Sequence, residues 1–426
     1  MNKIIVKTPP MGWNSWDCYG ASVTEDEVRA NADYMAKHMK TFGWEYIIVD
    51  IQWYEPTAKS SSYNAFVPLE MDEYSRLIPA VNRFPSATDG KGFKPLSDYV
   101  HSLGLKFGIH IMRGIPRQAV HKGTPILGST KTAREIAHPN SICLWNTDMY
   151  GVDSSREGAQ QYYNSLFSLY ASWGVDYIKV DDIARPYSSG EVELIANAIE
   201  ACGRDMVLSL SPGEAPVQYA EHLKKYANMW RMTDDYWDTW GHLVPMFDKC
   251  HEWSKHVGPG HWPDADMLPL GHIALRSCEH GVGDRWTRFS NDEQITMMTL
   301  WCIFRSPLMI GCELRDNDDW TLSLITNEEV LRVLNHSHSA RQLFHNGYFN
   351  THVGWTAQDE DGSSYLALFN LGTVSDNIEA HLNQMELSGT YKIRDLWAHN
   401  DMGTTNCSIA VTVPAHGARF LKLTRV

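Results

Sequence analysis

Tyr177-Ile-Lys179-Val-Asp181-Asp182 is a short apolar run that ends on two carboxylates, and a helix-like segment from Tyr162 to Trp173 precedes it, with Gly174 between them. Helical spacing, a glycine stop and a strand make one βα unit of a parallel sheet. Upstream the same order recurs. Thr24-x-x-Glu27 has the form of a capping box, Val28, Met35 and Met39 share one helical face, Gly43 stops the helix, and Tyr46-Ile-Ile-Val-Asp50 follows as a strand. From about residue 7 to 325, strand-like runs alternate with helical patterns. They are Met11–Trp16, Tyr46–Ile51, Lys106–Ile111, Tyr177–Asp181, Val207–Leu210, Met229–Arg231, Pro263–Asp266 and Ser306–Ile310. Eight such runs favour a closed (β/α)8 TIM barrel over an open sheet.

A closing helix near Asn327 to Leu334 puts the barrel in residues 1–335. The character then changes to β runs: Tyr365-Leu-Ala-Leu-Phe369, the alternating Ile409, Val411 and Val413, and Phe420 to Leu423. These predict a C-terminal antiparallel β-sandwich over residues 336–426. The stretch from Arg113 to Tyr150 has weak periodicity. A loop of that length in a compact barrel is usually functional, and it is expected to wall the site.

Composition narrows the function classes. The 426 residues carry a net charge of -14, with Lys+Arg 37 against Asp+Glu 51 and no basic run, so a nucleic-acid partner is not expected. No apolar run has the length of a membrane span, so no membrane partner is expected either. Eight cysteines are scattered singly, without the spacing of a zinc site or a disulfide framework. The N-terminus lacks an apolar segment of secretory length, so the chain as written reads as cytoplasmic, an exported form with a removed leader being the alternative. His251 and His256 are five apart and cannot share a helical face as zincin ligands do, while Gly258-Pro-Gly260 and Gly281-Val-Gly283 read as turns.

Barrel enzymes carry their chemistry at the C-terminal ends of the strands. Asp50, Asp181, Asp182, Asp234, Asp235, Asp264 and Asp266 all end apolar runs. Carboxylates gathered at one mouth, without a His and Cys triad among them, point to carbohydrate chemistry, in which two act as a pair and others hold hydroxyls. Strand side chains alternate, so Lys179 and Asp181 face the mouth while Val180 and Asp182 face away, which favours Asp181 as a nucleophile with a lysine beside it. A buried strand-end ion pair is the plainer reading of the same residues. In Trp230-Arg231-Met-Thr-Asp234-Asp235-Tyr-Trp237-Asp238, adjacent carboxylates in aromatic surroundings suit an acid catalyst, and the spacing alone leaves Asp234 and Asp235 equal. Sixteen tryptophans add candidates for stacking on sugar faces.

Pro9-Pro-Met-Gly-Trp-Asn-Ser-Trp16-Asp, the Tyr177 to Asp182 segment and Asp264-Ala-Asp-Met-Leu268 together closely resemble glycoside hydrolase family 27, the α-galactosidase and α-N-acetylgalactosaminidase family. The likeness continues through Asn291-Asp292, Leu300-Trp301 and Ser306-Pro-Leu-Met309. It implies a retaining double displacement on a (β/α)8 barrel, with no cofactor and no metal. By motif, the aspartate after Lys179-Val, Asp181, is the nucleophile, and the aspartate four residues after Arg231, Asp235, is the acid/base. Trp16, Asp50, His110, Lys179, Arg231 and Asp266 would contact the sugar, with His110 where many relatives carry a tyrosine.

Three departures bear on substrate. Galactosidases of this family usually place two consecutive aspartates at the end of strand two, for the 4- and 6-hydroxyls, whereas here the pair is Asp50-Ile51. β-L-Arabinopyranose has the galactose configuration without C6 and would lose nothing there. At strand five, Ser209-Leu-Ser211-Pro212-Gly213 replaces a Cys-Glu-Trp segment whose glutamate approaches C2, leaving room for an N-acetyl group. Ile183 stands where secreted relatives have a cysteine paired near the nucleophile. The resemblance thus implies a retaining exo-glycosidase acting on an oligosaccharide or glycoconjugate. α-Galactosidase leads as the commonest activity, followed by β-L-arabinopyranosidase from Ile51 and α-N-acetylgalactosaminidase from Ser211. A non-catalytic sugar-binding protein is the alternative of another class, against which the presence of both carboxylates speaks.

Overall fold

The computed structural model describes residues 5–211, 213–278 and 282–426. Its first part is a ring of parallel strands: β1 (Met11–Asn14), β2 (Tyr46–Val49), β3 (Lys106–Met112), β4 (Tyr177–Asp181), β5 (Val207–Leu210), β6 (Met229–Arg231), β7 (Trp262–Asp264) and β8 (Leu308–Ile310). Neighbours in sequence pair in parallel from β1 to β7, and β8 pairs with β1. Just past β7, Leu268 bridges Ile310, and its N–H donates to the Met309 carbonyl at 2.8 Å. That contact closes the barrel.

One main helix follows each strand: α1 (Glu25–His38), α2 (Lys94–Ser102), α3 (Ala159–Trp173), α4 (Ser189–Cys202), α5 (Ala220–Tyr226), α6 (Met246–Trp253) and α7 (Asn291–Phe304), then α8 (Asp319–Ile325) and α9 (Glu328–His336) after β8. Local signals set their ends. The Thr24 N–H donates to the Glu27 carboxylate at 2.9 Å at the start of α1, and Gly174, at φ +83°, caps α3. α1 stops at His38, earlier than Gly43; a 3-10 turn, Lys40–Phe42, intervenes, and Gly43 at φ +96° caps that turn instead. Among the described residues no helix is long and apolar enough to cross a membrane.

Strand alternation sorts the core. Tyr46, Ile48, Tyr177, Val207, Met229, Trp262 and Met309 form one cluster, while Ile47, Val49, Ile178 and Val180 belong to the larger core shared with the helices. The residues after β3 are not a loop. They fold into a small lobe of three short antiparallel strands, Ile115–Pro116, Ala137–Ile142 and Met149–Val152, with helices Arg117–Lys122 and Ala133–Ile136. These pieces are too short for either period to register, and side-chain contacts such as Arg117 Nε to the Met149 carbonyl at 3.0 Å hold them.

From Ser337 the chain is antiparallel: β9 (Ser337–Asn346), β10 (His352–Asp359), β11 (Ser364–Asn370), β12 (Asp376–His381), β13 (Tyr391–Asp395), β14 (Asn400–Thr405), β15 (Ser408–Val413) and β16 (Ala418–Arg425). The larger sheet runs β9-β10-β11-β16-β13-β14, and β12 pairs with β15. Leu366, Leu368, Ile378, Ala380, Val411 and Leu421 pack between the two sheets. The opposite face of the larger sheet, with Trp355, Tyr365, Phe369 and Phe420, joins the barrel core. Polar ties reinforce that seam: Trp397 Nε1 donates to Thr299 Oγ1 at 2.8 Å, and Thr296 Oγ1 donates to the His416 carbonyl at 2.7 Å. The His416 ring stacks on Trp240, centroids 3.9 Å apart and planes 7° from parallel.

Candidate active site

Asp50 follows β2 and is buried. Its Oδ2 accepts from Lys179 Nζ at 2.9 Å and from Asn14 Nδ2 at 2.7 Å, so β1, β2 and β4 meet on one oxygen. Burial alone would push this carboxyl up, but Lys179, His110 and Asn14 outweigh it and hold the group below the ordinary range. Burial would likewise lower the lysine, and the charges of Asp50 and Asp181 reverse that.

Asp181 ends β4. One oxygen accepts from the Asp182 N–H, and the other lies 2.9 Å from His110 Nε2 on β3. His110 is fully buried, and its Nδ1 has no partner among the described residues. Asp182 turns away, at φ +61°, onto Arg113 at 3.0 Å, and Arg113 also binds Glu191 of α4 at 2.8 Å. Burial pushes the Asp182 carboxyl up to about 6 despite that arginine. The alternation expected from the sequence therefore separates the two aspartates.

Across the mouth, buried Arg231 ends β6 and forks between Asp235 at 3.1 Å and Asp266 at 2.8 Å. Asp266 also accepts the Tyr236 N–H at 2.7 Å, and its own N–H is held by Asp264 at 2.9 Å. Burial, with Asp235 and Asp264 adding to it against Arg231, raises the Asp266 carboxyl. Asp234 pairs instead with Arg185 at 3.1 Å, so the two adjacent carboxylates, 55% and 67% exposed, are held by different arginines. Asp238, the last acid of this segment, is fully committed to Arg285 and Arg288.

Trp16 stands at the start of the short helix after β1, and its ring stacks on Tyr63, centroids 5.9 Å apart. Tyr63 in turn meets Trp145 at 5.4 Å, so the lobe after β3 reaches this side of the mouth. Ser211 is buried beyond β5 with Oγ unpartnered among the described residues; Pro212 lies outside them. Ile51 is 1% exposed, its N–H donating to Asp50 Oδ1 at 2.9 Å.

Sequence reasoning missed Asp17. It is buried, its Oδ2 has no partner among the described residues, and burial, with Asp266 adding its charge, raises its carboxyl well above the usual range. A Cβ at residue 311 would fall 2.4 Å from that oxygen, so Gly311 is what makes room for it. Its position inside a helix, off the strand end, hid it; the only signal was its place beside Trp16.

A closed barrel whose mouth sets carboxylates against a buried lysine and arginine is an arrangement that suits a glycosidase. The chain belongs to glycoside hydrolase family 27: the family model described as Alpha galactosidase A matches residues 8–157 and 148–336, and that of the Alpha galactosidase C-terminal beta sandwich domain matches 350–423. A family 27 β-L-arabinopyranosidase from Geobacillus stearothermophilus is 61% identical and superposes with a TM-score of 0.97, covering 99% of this chain and 97% of that one. A candidate α-N-acetylgalactosaminidase from Bacillus halodurans C-125 is 56% identical, with a TM-score of 0.90 over 100% and 99% of the two chains. Alpha-galactosidase 2 of Arabidopsis thaliana is 26% identical, over 100% of this chain and 91% of its own length.

Proposed function

We propose that the protein is a retaining exo-glycosidase that releases terminal β-L-arabinopyranose in preference to α-D-galactose. Ile51 carries this reading. It lies next to the Asp50 carboxylate that Lys179 and Asn14 hold, and it is as buried as the rest of the barrel core. A galactoside would bring its C6 hydroxyl toward an alkyl group where its relatives offer a carboxylate, at a loss of about 1.5–3 kcal/mol for a missing charge-assisted hydrogen bond. An arabinopyranoside has no such hydroxyl. The 61% identity to an arabinopyranosidase, against 26% to a plant α-galactosidase, supports the same order and moves galactose from first to second place.

In the proposed mechanism Asp181 attacks the anomeric carbon while Asp235 protonates the departing glycosidic oxygen. Asp235 then takes a proton from water, which attacks the same carbon and releases Asp181. His110 holds one oxygen of Asp181, and Arg231 holds Asp235 and Asp266 in fixed relation. Asp50 and Lys179 would take the sugar hydroxyls as an acceptor and a donor.

Hydrolysis of the nitrophenyl β-L-arabinopyranoside, α-galactoside and α-N-acetylgalactosaminide at equal concentration tests the substrate. The arabinopyranoside should be fastest, and Ile51→Asp should raise the galactoside to arabinopyranoside ratio by about tenfold. A faster galactoside in the unmutated enzyme would overturn the assignment, and a faster N-acetylgalactosaminide would point to the space beside Ser211. Proton NMR of the first-formed product should show the substrate's own anomeric configuration.

A further inference from the structure

We infer that Arg185 and Asp234 form a leaving-group subsite for a hydroxyl-rich sugar ring; the inference rests on the reading of Asp235 as the acid/base. Arg185 sits in a tight turn directly after β4, in which the Ser188 N–H donates to the Ile183 carbonyl at 2.9 Å and Ala184 bridges Tyr187. From there its guanidinium reaches the segment after β6, with Nη1 donating to Asp234 Oδ2 at 3.1 Å and Nη2 to Oδ1 at 2.5 Å. Gly213, after β5, lies beneath it: a Cβ there would stand 3.3 Å from Nε and Nη2, on a backbone already at φ +97°. Three consecutive strand ends thus converge on one ion pair.

The pair is built, yet it lies open. Its side chains are 65% and 55% exposed, and an ion pair in water contributes little to stability. The fork uses one N–H on each terminal nitrogen, which leaves Nε–H and the other N–H groups, with the outer carboxylate lone pairs, for a ligand. Donors and acceptors side by side match the vicinal hydroxyls of a sugar. Position supplies the rest. Asp235 is the next residue in the chain, so the pair lies one residue from the group that would protonate the leaving oxygen. Tyr187, on the same turn, stacks on Tyr219 with centroids 4.4 Å apart and so holds the turn in place. A nitrophenyl leaving group has no hydroxyls to engage.

The test compares a nitrophenyl glycoside with a disaccharide carrying the same terminal residue, using whichever glycone the unmutated enzyme hydrolyses fastest. A wrong glycone in the preceding assignment therefore leaves the ratio readable. Arg185→Ala should lower kcat/KM for the disaccharide relative to the nitrophenyl glycoside by about tenfold, mainly through KM, the loss expected of one charge-assisted hydrogen bond. Arg185→Lys, a point charge without the fork, should recover only part of it. Both variants should keep the parental thermal midpoint. An unchanged ratio would overturn the subsite, as would an equal fall on both substrates, which would make the pair a brace for Asp235.

Discussion

Asp181 and Asp182 are adjacent in sequence and opposite in circumstance. The first has a histidine on one oxygen and a backbone N–H on the other, beside Lys179; the second is locked onto Arg113. If Asp181 is the nucleophile, Asp181→Asn should lower kcat by about a thousandfold or more, because an amide cannot form the glycosyl ester, while Asp182→Asn should stay within about tenfold. Steady-state rates on the preferred nitrophenyl glycoside check both. This distinction was legible before any coordinates, since period-two alternation needs only the strand. Choosing Asp235 over Asp234 was not legible from spacing and took a motif likeness; in the structure Asp234 pairs with Arg185 and Asp235 with Arg231. Asp17 was illegible for a different reason: burial by residues far along the chain, Gly311 among them, gives it its character.

Between elements, the segment after β6 is fastened by Asp238. Its carboxylate accepts from Arg285 at 2.8 Å and from Arg288 at 2.9 Å, which ties the Asp235 segment to the chain leading into α7. Burial would raise this carboxyl, but the two arginines outweigh it and hold it at about 2. With the folded value depressed, the contribution is fully present above the ordinary carboxylate pKa and is lost as pH falls through about 2. Asp238→Asn should therefore cost about 2–3 kcal/mol at pH 7, and the gap in thermal midpoint between variant and parent should narrow as pH falls from about 4 toward 2. A gap independent of pH would sink the electrostatic account. At this scale the barrel strands were readable because each is a short apolar run with a stop signal. The lobe after β3 was not, since strands as short as Ile115–Pro116 carry no period and are held by contacts such as that of Arg117.

Across the whole molecule, the barrel and the antiparallel domain share one core. Phe369 meets Phe247 with ring centroids 4.9 Å apart and Trp355 meets Phe304 at 6.4 Å, within one apolar cluster that spans both parts, so neither part buries its apolar surface alone. Calorimetry should accordingly show a single unfolding transition, with van't Hoff and calorimetric enthalpies in agreement; two resolved peaks would refute the shared core. The change to β structure near residue 336 was plain in the sequence, but this sharing was not, because Trp355 and Phe369 alternate just as they would in an independent sandwich.

The stack of His416 on Trp240 carries that sharing to the chemistry, for Trp240 lies only five residues beyond Asp235. The C-terminal domain is in this sense a counterpart, not an interchangeable part. A chimera that borrows the sandwich of a distant relative would inherit a seam cut to another barrel, and the segment that carries Asp235 would register the mismatch before its fold did. Within the family, the two halves are then expected to have changed together.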